Sequence, residues 1–233
     1  LFFFNVDVFK RIFIVKNRRM ALIKERITES IRAGLPGTDV QWMMASSDRM
    51  LKDFPRVPGA DARVAAVLIL LFPDDNKICT VFMQRPDYTG IHGGQISFPG
   101  GKKEPGDESV IFTALREAFE ETGIAPASVS VLGTLTPLFI PVSNMIVTPV
   151  VGWTESRPSF SHDPAEVVFL IEAPLGNFLD PSIIKTTPMM LRGEMIDVRY
   201  FGYKSHVIWG ATAMMLNELL EIIKKNNIKL EIH

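Results

Sequence analysis

What this sequence lacks narrows its chemistry first. Its 233 residues contain one cysteine, Cys79, so neither an internal disulfide nor a multi-cysteine zinc site can form. Cys79 lies in the apolar run Ile78-Cys79-Thr80-Val81-Phe82, where a buried strand position is expected rather than a nucleophile. The four histidines, His92, His162, His206 and His233, are scattered without HExxH or similar metal-ligating spacing. An excess of one charge is also missing. Twenty-five Lys+Arg stand against 26 Asp+Glu, a net charge of -1, which excludes a globally basic nucleic-acid binder. No nucleophile elbow, P-loop or dinucleotide fingerprint occurs; the nearest glycine cluster, Gly90-Ile91-His92-Gly93-Gly94, lacks the required pattern. Near the N-terminus, Asp7, Lys10 and Arg11 interrupt the apolar residues, leaving no run long enough for a membrane span. No basic region precedes them, as a secretory signal would require. A soluble cytoplasmic domain is the expectation.

What is present suffices for one well-packed domain, since 47% of the residues are apolar. Residues 1–19 read as a leader or N-terminal extension, with five Phe and five basic residues among the first 20; either an added element packed on the domain or a membrane-surface contact fits them. Residues 20–233 read as a single domain with its core at about 62–225. A helical apolar period (Leu22, Ile23, Ile27, Ile31) covers 20–35 and stops at Gly34-Leu35-Pro36-Gly37. Residues 36–61 read as a connecting segment. A continuous apolar run at 64–72, a turn at Pro73-Asp74-Asp75-Asn76 and a second run at 77–85 read as a hairpin. After a glycine-rich loop, a helix is expected over 107–122, with Asp107 as N-cap and Gly123 at the left-handed C-cap. Strand-like runs recur at 129–138, 145–153, 166–171 and 195–202, and a final amphipathic helix at 207–225. The methionine pairs at 43–44, 189–190 and 214–215 read as core filler. Strands and helices alternate without repeats, which predicts an α/β or α+β domain.

The chemistry is concentrated in residues 101–124. Three basic residues there face six acidic ones, a local charge of -3 in a nearly neutral chain. On a helix, Glu117, Glu120 and Glu121 stand at i, i+3 and i+4, so the three carboxylates share one face and repel one another. Arg116 offsets one charge. Hard divalent cations with oxygen ligands would offset the rest, and Mg²⁺ characteristically binds few carboxylates together with substrate phosphates. A merely solvated acidic face is the bland alternative. Against it, the same helix carries apolar Val110, Ile111, Ala114, Leu115, Ala118 and Phe119, and Gly100-Gly101 ahead of it lets backbone approach a ligand closely.

Arg116-Glu117-Ala118-Phe119-Glu120-Glu121-Thr122-Gly123-Ile124, preceded by Gly101 and an acidic residue, resembles the Nudix box of the Nudix hydrolases. The second half matches position by position. The first half is one residue longer: Glu108 has the required seven residues before Arg116, whereas Asp107 has the required five after Gly101, so either could take the box's first acidic position. Arg85, then Gly90-Ile91-His92-Gly93-Gly94-Gln95-Ile96-Ser97-Phe98-Pro99-Gly100-Gly101, resembles the upstream signature of the coenzyme A pyrophosphatase branch, where this box extension is common. Pro141-Val142-Ser143-Asn144, Glu166-Val167, Pro174-Leu175 and residues 208–213 extend the likeness. Where that branch has Ser or Ala after the first Arg and a second Arg four residues later, this chain has Pro86 and Gly90.

The resemblance implies an α/β fold, an α/β/α sandwich around a mixed sheet. It also implies an enzyme that hydrolyses a diphosphate linkage with Mg²⁺ or Mn²⁺. Glu117 and Glu121 are the implied metal ligands, with Glu120 as a third and the Gly100 carbonyl as a further donor. Arg116 orients the glutamates, and Glu120 or Glu117 is the candidate general base. Arg85, His92, Gln95 and Gly101 are the implied substrate-binding residues, and Glu166 is a candidate additional acidic group. The implied substrate is a small nucleoside diphosphate derivative, coenzyme A or acyl-CoA, cleaved to 3',5'-ADP and 4'-phosphopantetheine or its acyl form. Pro86 and Gly90 keep ADP-ribose or NADH as the alternative. A non-catalytic ligand-binding module is a third reading, disfavoured because every acidic position in the second half of the box is filled. Neither a nucleic-acid partner nor a membrane span is expected, and a homodimer is compatible with the sequence.

Overall fold

The computed structural model describes residues 6–51, 57–87, 94–191 and 193–232, with side chains from residues 14 to 50 in the first stretch. The apolar run at 64–72 becomes the long strand β1 (Arg63–Asp74), the axis of the molecule. It pairs antiparallel with β2 (Lys77–Gln84), a partnership set by the tight turn between them. Pro73 and Asp74, expected in that turn, instead remain in the strand opposite Ile78 and Lys77. The chain reverses at Asp75-Asn76 alone, with Asp75 at φ 51°. On its other edge β1 runs parallel to β7 (Met145–Trp153) over nine residue pairs, Arg63↔Met145 to Leu71↔Trp153.

Shorter strands complete this mixed sheet. The glycine-rich loop forms β3 (Ile96–Ser97) against β2 and β4 (Gly100–Lys102) against the start of β1. The run expected at 129–138 is broken into β5 (Ser130–Thr134) and β6 (Leu138–Ile140), both antiparallel to β7. The break follows from Pro137, which cannot donate to a ladder. Strand β8 (Phe169–Pro174) pairs with β2. It begins three residues later than the expected strand because Asp163 holds the preceding backbone in a turn, its side chain accepting from Ala165 N at 2.8 Å and its carbonyl from Glu166 N at 3.0 Å.

Burial on both faces explains the unbroken hydrophobicity of β1. Ala66, Leu68, Leu70 and Phe72 meet Ala114 and Ala118 of α4 (Val110–Thr122) on one face. Ala65, Ile69 and Leu71 belong to the core on the other face. There α1 (Val6–Ala33) contributes Ile23, Ile27 and Ile31, and α5 (Gly210–Lys225) contributes Leu216, Leu219 and Ile223. The result is the helix–sheet–helix sandwich that the resemblance implies.

Three further elements depart from expectation. The connecting segment contains two short helices, α2 (Thr38–Trp42) and α3 (Ser47–Leu51), because Trp42 and Met44 are buried against the α5 side. Residues 184–191 form β9 (Ile184–Leu191), which joins β10 (Glu194–Tyr203) and β11 (His206–Trp209) in a separate antiparallel sheet. Pro188 and the half-exposed alternation of β9 mark it as an edge strand, with no apolar run to announce it. Residues 207–209 belong to β11, and the last helix starts only at Gly210, φ 63°. Among the described residues no helix is long and apolar enough to cross a membrane.

Candidate active site

Two adjacent glycines build one wall. Gly100 has φ 154°, and a Cβ there would overlap the Ala66 carbonyl and Val67 Cα of β1. Gly101 is required for a different reason: a Cβ there would occupy the space taken by the Glu117 carboxylate. The pairing of β4 with β1 thus presses a bare backbone against the acidic face of α4.

Helix α4 begins later than expected. Its N-cap is Ser109, in extended conformation, whose hydroxyl accepts from Phe112 N at 3.1 Å. Asp107 is not the cap. It folds inward, 4% exposed, and accepts from Glu104 N (2.9 Å), Thr113 Oγ1 (2.9 Å), Arg116 Nε (3.0 Å) and Arg116 Nη2 (3.1 Å). These donors, Arg116 first among them, hold the Asp107 carboxyl well below the usual carboxylate range. Glu108 is exposed. Between the two acids left open by the spacing, Asp107 therefore takes the inner position. Gly123 ends the helix in the left-handed region, as expected, with φ 73°.

Arg116 is the hub. Besides Asp107 it donates to Glu117 Oε1 (2.9 Å), Glu120 Oε2 (2.9 Å) and the Lys102 carbonyl (3.1 Å). Glu117 and Glu121 line a broad cleft of about 1970 Å³, whereas Glu120 stands outside its lining with its side chain 49% exposed. Glu121 is buried and accepts from Gly100 N at 2.7 Å. Burial pushes its carboxyl up to about 7; the Gly100 N–H and Arg85, 3.7 Å away, oppose the shift, while Glu117 and Glu166 add to it. Burial also raises Glu117, against the pull of Arg116.

The opposite wall comes from the end of β2 and from β3. Arg85, Pro86, Gln95 and Ser97 line it, and Arg85 N donates to the Gln95 carbonyl at 3.0 Å. Arg85 Nε and Ser97 Oγ are buried without a hydrogen-bond partner among the described residues. Such groups are costly unless a ligand satisfies them. Glu166 lines the cleft from the turn before β8 rather than from a strand. That loop is tied to the end of α4 by Ser161 N, which donates to the Thr122 carbonyl at 2.9 Å. His92 and Gly90 lie outside the described residues.

The far end of the cleft was not anticipated. Met145, Met189, Met190, Leu191, Ile196 and Met215 line it, so the 189–190 pair is not core filler, although Met214 and Met215 are buried as expected. The edge-strand pattern of β9 carries no sign that Met189 and Met190 border the cleft. Cys79, by contrast, is a buried strand residue whose thiol burial pushes up to about 11.

Among the described residues no three carboxylate, imidazole or thiol groups form a closed metal cage. The donor set nevertheless fits a hard divalent ion. Two carboxylates whose charge is disfavoured by burial sit beside bare glycine backbone, and a Mg²⁺-type ion characteristically takes one or two carboxylates and completes its shell with waters and substrate phosphates.

A mixed sheet that sets a double-glycine strand against an acidic helix, with an arginine near the buried glutamate, is the arrangement of a Nudix-type hydrolase. Residues 62–204 match the NUDIX domain family, more than half of the sequence, and the chain belongs to that family. It is 40% identical over 133 residues to the uncharacterized Nudix hydrolase NudL of Photorhabdus laumondii, covering 57% of this chain and 71% of the relative. To the NudL protein of Yersinia pestis it is 38% identical over 164 residues, covering 70% and 80%. Among solved structures, the Nudix hydrolase RenU from M. smegmatis aligns at TM-score 0.49 and 14% identity, covering 70% of this chain and 87% of that one. The chain is a Nudix hydrolase, and enzymes of this family generally need divalent metal ions.

Proposed function

We propose that the substrate is coenzyme A or an acyl-CoA, cleaved at its diphosphate to 3',5'-ADP and 4'-phosphopantetheine or its acyl form, with Mg²⁺ or Mn²⁺ as the metal. One observation carries this reading. The segment that resembles the coenzyme A pyrophosphatase branch supplies Arg85, Gln95, Ser97, Gly100 and Gly101, and these line the same cleft as Glu117 and Glu121.

In this reading Glu117, Glu121 and the Gly100 carbonyl would hold the metal, with Glu120, whose Oε2 accepts from Arg116, as a third carboxylate. A bound divalent ion polarises the phosphoryl oxygens and lowers the pKa of an attacking water. A lone pair of the Glu117 carboxylate not taken by the metal or by Arg116 would receive that water's proton. Of the two candidate bases, Glu117 is the one that lines the cleft, and Arg116 on its Oε1 fixes the carboxylate's orientation. The water oxygen forms the new P–O bond as the bridging P–O bond breaks, leaving a terminal phosphate monoester on each product. Arg85 turns from Glu121 to the diphosphate, where its guanidinium meets developing charge. Gln95 and the Ser97 hydroxyl hydrogen-bond the substrate, and Glu166, whose charge acts on Glu121, is a further acidic group of the cleft.

The test is a panel of coenzyme A, acyl-CoA, ADP-ribose and NADH, assayed with Mg²⁺ and with Mn²⁺. The highest kcat/KM is expected on a coenzyme A derivative. A clear preference for ADP-ribose or NADH overturns the substrate assignment and leaves the metal site standing. Pro86, a cleft residue where that branch has Ser or Ala, makes this the second reading.

A further inference from the structure

We infer that the methionine-rich end of the cleft is a subsite for a linear acyl chain. The β9–β10 hairpin then makes the enzyme prefer acyl thioesters to the free thiol. The inference rests on the coenzyme A reading and goes beyond it by assigning a substituent and the residues that select it.

The subsite is chemically unlike the rest of the cleft. Met189 and Ile196 are cross-strand partners on one face of the hairpin, with Leu191 two residues along on the same face. Met145 of β7 and Met215 of α5 line the same cleft. None of these five side chains offers an aromatic face on which a base would stack. The nearby charges balance, Asp48 and Glu194 against Arg49 and Arg63, so no net positive field marks a second phosphate site. Arg49 is also committed to the fold, donating to the Phe139 carbonyl at 2.6 Å and lying over the Trp42 ring at 5.4 Å. An apolar, uncharged group fits this composition. Thioether side chains are flexible and repack around ligands of different length, which suits a series of acyl chains better than one rigid ring.

The spacing places this subsite away from the diphosphate. Gly101 pairs with Ala66 on one edge of β1, and Met145 pairs with Arg63 on the other. Two strand spacings and three residues therefore separate Gly101 from Met145, about 14 Å. Only a group carried at a distance from the scissile linkage reaches the wall.

The test uses the full chain with free coenzyme A and its two-, eight- and sixteen-carbon thioesters. Since burying two methylenes supports about a tenfold gain, kcat/KM is expected to rise at least tenfold from the two-carbon to the eight-carbon thioester. Calorimetry without metal is expected to show the same order in affinity. In Met189→Ser, and separately in Met145→Ser, the ratio of kcat/KM for the eight-carbon thioester to that for the free thiol is expected to fall severalfold, whereas Met190→Ser, on the other face of the hairpin, is expected to leave that ratio within about twofold. A flat chain-length profile, or variants that lose all substrates in equal proportion, overturns the subsite while coenzyme A hydrolysis stands. Turnover of ADP-ribose or NADH with none of any coenzyme A derivative overturns the substrate reading itself, and the subsite with it.

Discussion

Arg116 grips Asp107 with two nitrogens, Nε at 3.0 Å and Nη2 at 3.1 Å, and from that anchor reaches Glu117 and Glu120. A carboxylate nine residues earlier in the chain thereby fixes the arginine that orients the acidic helix face. Asp107→Asn is expected to weaken Mg²⁺ affinity and activity by about 10–100-fold, the usual effect of removing a group that orients metal ligands. Glu108→Gln, at an exposed position, is expected to leave both within about threefold of the parent. Metal titrations of the two variants separate them; equal losses would return the inner role to Glu108.

The two glycines should fail differently. Gly101→Ala pushes a methyl group into the Glu117 carboxylate, so kcat/KM is expected to fall by about 100-fold with little change in Tm. Gly100→Ala meets the backbone of β1 at φ 154° and is expected to lower Tm as well as activity. Thermal melts beside rate measurements show whether the division holds.

Glu121 gives the metal-free protein a characteristic pH dependence. Its folded carboxyl is raised from 4.5 to about 7 by burial, so between those values the folded chain holds a proton that the unfolded chain has lost. Stability therefore falls as pH rises through that window, by up to about 3 kcal/mol, and Glu117, also raised, acts in the same direction. Urea unfolding without divalent ions at pH 5 and pH 8 measures the slope, which Glu121→Gln should flatten while abolishing turnover by orders of magnitude. Metal binding near neutrality should release protons and tighten with pH.

Away from the cleft, Glu218 of α5 is fully buried. It accepts from Gly37 N (3.1 Å), Gln41 Nε2 (2.8 Å), Thr136 N (3.2 Å) and Thr136 Oγ1 (2.5 Å), joining three stretches of chain distant in sequence. Glu218→Ala strands these donors and is expected to cost about 2–5 kcal/mol, read as a lower urea midpoint. A change under 1 kcal/mol would mean that water replaces the carboxylate.

Helix α1 runs unbroken from Val6 to Ala33, so the boundary expected at residue 20 is not a structural one, and removal of residues 1–19 is the fifth test. Among the described side chains, α1 buries Met20, Ile23, Ile27 and Ile31, whereas Ile14 and Val15 are 63% and 56% exposed. Deleting residues 1–19 is expected to leave diphosphatase activity intact and to shift Tm by only a few degrees. Loss of folded protein would make the extension part of the domain.

Legibility in the sequence followed the range of the interactions. The β1–β2 hairpin, α4 and its Gly123 cap were readable because periodicity and turn chemistry act over a few residues. The acidic helix face was readable for the same reason, since i, i+3 and i+4 spacing is local. Helices α2 and α3 and strand β9 were not, because they owe their conformation to Trp42 docking on the α5 side and to pairing with β10.

By itself the sequence determined that Glu117, Glu120 and Glu121 would share one side of a helix behind two glycines, since backbone geometry alone requires it. Only the tertiary structure decided which of them face the cleft. Arg116, anchored by Asp107, draws Glu120 to the rim, while packing against β1 and β4 buries Glu121 and sets Glu117 over Gly101. The same holds for the apolar end of the cleft. Met145, Met189 and Met215 lie far apart in the chain, and only the meeting of two sheets and a helix makes them one surface.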